Sequence, residues 1–142
     1  MHSRKGHGYI YASDINATIC ADGSDLTSGY SFLFGGKGNS GTQIVRKDEI
    51  VAESPERIPR QVLHRRWFAI KIQKRGGHLT LWIDNRKILE YTDPSPLPGR
   101  RLALWTYNNG LMVSRVRISS ESGRTMELPD ADHPQVARSI YD

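Results

Sequence analysis

The chain has 142 residues, of which 37% are hydrophobic, 8% aromatic and 25% charged, a balance that excludes a disordered or collagen-like polymer and suits one globular core. Twenty Lys and Arg against fifteen Asp and Glu leave a net charge of +5, too sparse for a dedicated nucleic-acid binder, and no apolar run approaches the ~20 residues of a membrane span. The single cysteine, Cys20, excludes an internal disulfide and any multi-cysteine metal site, and reads as a small core residue.

Tyr9–Cys20 opens the chain as a long strand with Ile15, Ala17 and Ile19 facing inward. Tyr30–Gly35, Thr42–Lys47 and a short Ile50–Glu53 follow as further strands. Between the first two of these, Gly35-Gly36-Lys37-Gly38-Asn39-Ser40-Gly41 lacks the spacing of a phosphate-binding loop and precedes a strand, so it reads as a mobile loop at a sheet edge. Trp67–Lys74 is the clearest strand, with Phe68, Ile70 and Ile72 on one face. The glycines of Arg75-Gly76-Gly77 turn it into His78–Asp84, where Leu79, Leu81 and Ile83 oppose Thr80 and Trp82, and the two form a hairpin. Asp84-Asn85-Arg86 makes the next turn and Lys87–Tyr91 the next strand. Pro94, Pro96 and Pro98 then forbid ladder pairing from Thr92 to Gly99.

Arg101–Tyr107 sets Leu102, Leu104 and Thr106 against Ala103, Trp105 and Tyr107, and Asn108-Asn109-Gly110 turns it into Leu111–Ser119 as a second hairpin. From Glu121 the alternation stops, which gives a domain over 1–120 and a tail or linker over 121–142. About nine strands joined mostly by tight turns predict an all-β, two-sheet antiparallel sandwich. Its core takes the apolar phase of each strand: Phe68, Ile70, Ile72, Leu79, Leu81, Ile83, Leu102, Leu104, Val116 and Ile118.

The runs His64-Arg65-Arg66-Trp67-Phe68-Ala69-Ile70-Lys71-Ile72, Leu79-Thr80-Leu81-Trp82-Ile83-Asp84-Asn85-Arg86-Lys87-Ile88, Tyr91-Thr92-Asp93-Pro94 and Arg101-Leu102-Ala103-Leu104-Trp105-Thr106 resemble the concanavalin A-like lectin/glucanase superfamily. The resemblance covers residues 9–119 and is strongest over 64–118. It implies a jelly-roll with a concave and a convex sheet, a glycan or polysaccharide partner that includes the anionic ones, an extracytoplasmic location, and no cofactor beyond a structural calcium ion. No signal peptide is visible at the start of the chain. Because relatives of this type carry strands ahead of the matched region, the chain also reads as a fragment of a larger protein or a compact variant.

Glycosidases need two carboxyl groups across the scissile bond, and laminarinase-type members of the superfamily carry them as Glu-x-Asp-x-Glu or Glu-x-Asp-x-x-Glu. Here Asp48, Glu49 and Glu53 fit neither register, because the central position is Val51 or Ile50. These acids read as solvent-facing and the catalytic set is empty. The histidines His2, His7, His64, His78 and His133 never pair on one predicted element as metal ligands would. Basic residues such as Arg66, Arg75, Arg86 and Lys87 fall at strand ends and turns, where charge blocks edge-to-edge pairing.

Aromatic rings are the more informative set, since the apolar face of a sugar stacks on Trp or Tyr while its hydroxyls take directional hydrogen bonds. Trp82, Trp105 and Tyr107 lie in the phase opposite the leucines and are the candidate sugar platforms; the resemblance adds Arg46 and Asn39 as polar neighbours. The expected function is a non-catalytic carbohydrate-binding or structural module within a larger protein. A polysaccharide hydrolase or lyase, and a protein-interaction module, are the alternatives. No nucleic-acid partner is expected, and the oligomeric state is left open.

Overall fold

A computed structural model describes residues 14–59, 66–107, 111–120 and 125–127, and the chain divides into two compact units, Met1–Leu111 and Met112–Asp142. Tyr9–Ser13, the Asn108-Asn109-Gly110 turn, His2, His7, His64, Arg65 and His133 lie outside the described residues. The first unit holds β1 (Ile15–Ala21), β2 (Tyr30–Gly35), β3 (Gly41–Arg46), β4 (Glu49–Ser54), β5 (Ile70–Arg75), β6 (His78–Ile83), β7 (Arg86–Thr92) and β8 (Arg101–Trp105). They form a five-stranded sheet ordered β4-β3-β2-β1-β8 and a three-stranded sheet ordered β5-β6-β7, with every pairing antiparallel. The protein is an all-β sandwich.

Turn chemistry sets these registers. Asp84 and Asn85 take φ of 49° and 64°, the two left-handed residues of a tight hairpin turn that matches the strand twist, and link β6 to β7. Gly76, at φ +57°, turns β5 into β6. The next residue, Gly77, has no room for a side chain, because a Cβ there would stand 2.2 Å from the Asp93 carbonyl oxygen.

The core lies between the sheets. Alternation brings Tyr30, Phe32 and Phe34 of β2 and Ile44 of β3 against Leu79, Leu81 and Ile83 of β6 and Leu89 of β7, with Ile15, Ile19, Cys20, Phe68, Ile70 and Ile72 packed around them. Each fully buried side chain of this kind contributes about 1.5–3 kcal/mol. The Phe34 and Phe68 rings meet edge to face at 5.4 Å. Burial pushes the Cys20 thiol up in pKa, making it a weaker acid than an ordinary thiol, in keeping with its place beside the core.

Polar ties fasten the sheets at one end. The Tyr30 hydroxyl donates to Asp93 Oδ2 at 2.6 Å and accepts the Leu97 N–H at 2.9 Å, while Arg46 Nε donates to the same carboxylate oxygen at 2.6 Å. Burial by itself would raise the Asp93 carboxyl. Hydrogen bonds from Tyr30, Arg46 and the Ser95 N–H, with the Arg46 charge, outweigh it and hold the group down at about 2.

Two expectations are corrected. Leu102 and Leu104 are 45% and 44% exposed, not core. β8 is the outermost strand of a five-stranded sheet, and three strands cannot cover five. The second hairpin is also different, since Arg117–Ser119 (β9) pairs antiparallel with Thr125–Glu127 (β10), within the second unit. Val116 and Ile118 therefore belong to that unit and are half-buried. Alternation identified the strands of the first unit but not their partners, and it missed β10, which falls in the stretch read as a tail.

Candidate functional site

Because Tyr30, Phe32 and Phe34 face the core, Ser31 and Leu33 face away from it, and the registers carry that outer phase across the sheet. One row reads Trp105, Asn16, Leu33, Gln43 and Glu53, one residue from each of the five strands. At strand spacings of about 4.8 Å it runs roughly 19 Å across the sheet. The next row reads Ala103, Thr18, Ser31, Val45 and Ile50.

Hydrogen bonds hold the β8 end of this face. Trp105 Nε1 donates to Thr18 Oγ1 at 2.9 Å, and the Thr18 and Ser31 hydroxyls pair at 2.8 Å, so the indole ring is fixed over β1. Asp14 Oδ2 accepts from Asn16 Nδ2 at 2.6 Å and from the Tyr107 N–H at 2.8 Å, and the Thr106 hydroxyl lies 2.9 Å from the Asp14 carbonyl oxygen. Tyr107 thus follows Trp105 with its backbone tied down and its side chain exposed. Asn16, only 3% exposed, has its Oδ1 buried with no hydrogen-bond partner. Such an acceptor costs free energy until a donor reaches it.

At the β4 end of the row, Gln43 and Glu53 line a cavity of about 360 Å³ with Lys37, Ser40 and Ser54. The Gly-rich segment borders it as an ordered turn. Lys37, Gly38 and Asn39 take left-handed φ of 50°, 67° and 63°. The Asn39 side chain clips this turn down, donating from Nδ2 to the Ile58 carbonyl and accepting the Ile58 N–H at Oδ1, both at 2.8 Å.

The predicted platforms fall on two different faces. Trp105 belongs to the outer side of the five-stranded sheet, while Tyr107 lies past the end of β8 with its side chain exposed. Trp82, in the phase opposite Leu79 and Leu81, belongs to the outer side of the other sheet, in the row Lys71, Trp82, Lys87. There Lys71 Nζ stands 5.6 Å from the Trp82 ring centroid, a cation–π distance, and the indole N–H is buried without a partner. Arg46 faces the inter-sheet side, where Asp93 and the Ser95 carbonyl engage its guanidinium. Asn39 is spent on Ile58. Neither of these two polar residues stands beside an indole in its own row.

The acids of β4 are also separated. Glu49 stands opposite Arg46 and Glu53 opposite Gln43, and a bulge at Val51 lies between them. Arg46 and Gln43 are three residues apart on one strand, so they and their partners point to opposite faces of the sheet. Glu49 and Glu53 therefore do not bracket one bond. Among the described residues, no group of three or more His, Cys, Asp or Glu gathers as metal ligands would, and no helix is long and apolar enough to cross a membrane.

Asn16 and Gln43 were not visible as site residues from sequence. The available signal was the polar phase of β1, Asn16 and Thr18 between Ile15, Ala17 and Ile19, which marks an outward face but not the Trp105 beside it. Compared with protein families, with curated proteins and with solved structures, the chain matches none.

Proposed function

We propose that the first unit is a non-catalytic carbohydrate-binding module of the concanavalin A-like jelly-roll type, and that it takes glycan on the outer face of its five-stranded sheet. The observation that carries the proposal is the row Trp105, Asn16, Leu33, Gln43, Glu53, in which a fixed indole adjoins an unsatisfied buried acceptor. A sugar ring stacked on Trp105 brings hydroxyl donors toward Asn16 Oδ1, which a side-chain shift must uncover because Asn16 is buried, and further hydroxyls along the row meet the exposed Glu53. The charges around this face, Asp14 and Glu53 against Lys37 and Arg101, balance, so it suits a neutral glycan better than an anionic one. The separation of Glu49 from Glu53 favours binding over hydrolysis.

The test is a glycan array followed by calorimetric titration of the best ligand. Trp105→Ala should weaken binding several-fold at both low and high salt, because stacking is not screened. Asn16→Ala should weaken it as well, and Trp82→Ala, on the other sheet, should leave it unchanged. Wild-type affinity in folded Trp105→Ala protein, or a blank array, refutes the proposal.

A further inference from the structure

Among the described residues, the overhang of β8 leaves two kinds of group without partners in the sandwich. Its outer edge is the end of a sheet, and the inward phase of that strand, Leu102 and Leu104, is nearly half exposed. An open edge that carries apolar side chains is a template for another strand. The strand is also complementary to itself. When Arg101-Leu102-Ala103-Leu104-Trp105 runs antiparallel to a second copy about Ala103, Leu102 stands opposite Leu104, and Arg101 stands opposite Trp105.

We propose that β8 pairs with β8 of a second copy of this chain, across a twofold axis at Ala103, and joins two five-stranded sheets into one of ten strands. The four leucines then cover one another on the inward side. On the outward side each Arg101, which takes part in no ion pair among the described residues, comes alongside the partner's Trp105 and gains a cation–π contact. The register is specific. Because side chains alternate, only shifts that keep the leucines inward are allowed. An axis at Leu102 sets Leu104 against Arg100, and an axis at Leu104 sets Leu102 against Thr106. The axis at Ala103 alone pairs every leucine with a leucine.

The contact is small, so the dimer should form with a dissociation constant on the order of micromolar and should be sought by sedimentation up to about 100 µM. The full chain should then sediment as a dimer. Leu104→Lys, at an exposed position, should give a monomer with an unchanged circular dichroism spectrum. A register test uses Cys20→Ser protein carrying Ala103→Cys. Residues on the axis have Cα atoms about 4.5–5.5 Å apart, within disulfide reach. Mild oxidation should yield a covalent dimer from Ala103→Cys and little from Arg101→Cys. A monomer at every concentration, a Leu104→Lys dimer, or equal cross-linking of the two cysteine variants overturns the proposal.

Discussion

Tyr30→Phe removes one oxygen atom from the interior and tests how the two sheets are fastened. Tyr30 is fully buried, and its hydroxyl both donates to the Asp93 carboxylate and accepts the N–H of buried Leu97. Loss of the charge-assisted bond costs about 1.5–3 kcal/mol and loss of the ordinary one about 0.5–1.5 kcal/mol, so the variant should be less stable by about 2–4.5 kcal/mol. Urea denaturation at neutral pH measures this directly. The pH dependence adds a signature that simple repacking lacks. The Asp93 carboxyl is held at about 2, below its unfolded value near 3.9, so its stabilisation is complete above about pH 4 and is lost as pH falls toward 2. Without the Tyr30 donor that carboxyl titrates closer to its unfolded value and has less to lose. The gap between wild type and Tyr30→Phe should therefore narrow from pH 5 to pH 2. A destabilisation under about 0.5 kcal/mol, or a gap constant over that range, refutes the assignment.

Three further outcomes follow from the same geometry. Asn39→Ala should destabilise by about 2 kcal/mol in thermal melts, since it deletes both bonds to Ile58 and puts a β-carbon residue with no stabilising amide at a left-handed position. Gly77→Ala should cost about 1–3 kcal/mol by chemical denaturation, because its methyl would meet the Asp93 carbonyl oxygen at 2.2 Å and push apart the strand ends that the Asp93 N–H to Gly77 bond joins. Reducing-sugar assays on laminarin and lichenan should show no turnover, and any turnover abolished by both Glu49→Gln and Glu53→Gln would overturn the non-catalytic proposal.

Local pattern carried much of the fold into the sequence. The alternation of Tyr30–Gly35 fixes β2 to the residue, and the Asp84-Asn85 turn fixes the register of the hairpin that follows. Non-local choices were not legible. Leu102 and Leu104 have the same apolar phase as Leu79 and Leu81, and only the number of strands in the opposing sheet decides which pair is covered. The site divides in the same way. Trp105 and Trp82 look alike as outward indoles, yet one sits beside Asn16 and the other beneath Lys71, because each belongs to a different sheet. Arg46, which the resemblance offers as a polar neighbour of the rings, is claimed instead by Asp93 from a distant proline-rich loop.

The ladder between β1 and β8 also governs the order in which this chain can mature. β1 pairs with β2 through a short connection, but the bond from Trp105 to Thr18 closes a span of 87 residues. Such distant closure slows folding, since loop entropy is lost before the contact forms. During synthesis the meander from β1 to β4 and the hairpins of the second sheet emerge first, and the outer edge of β1 stays bare until β8 arrives. Asn16 and Trp105 meet only at that moment. A nascent or truncated chain that stops short of Arg101 can thus hold most of its hairpins and still lack the aromatic end of the face, so under the proposed function glycan capture would report completion of the domain rather than the formation of its secondary structure.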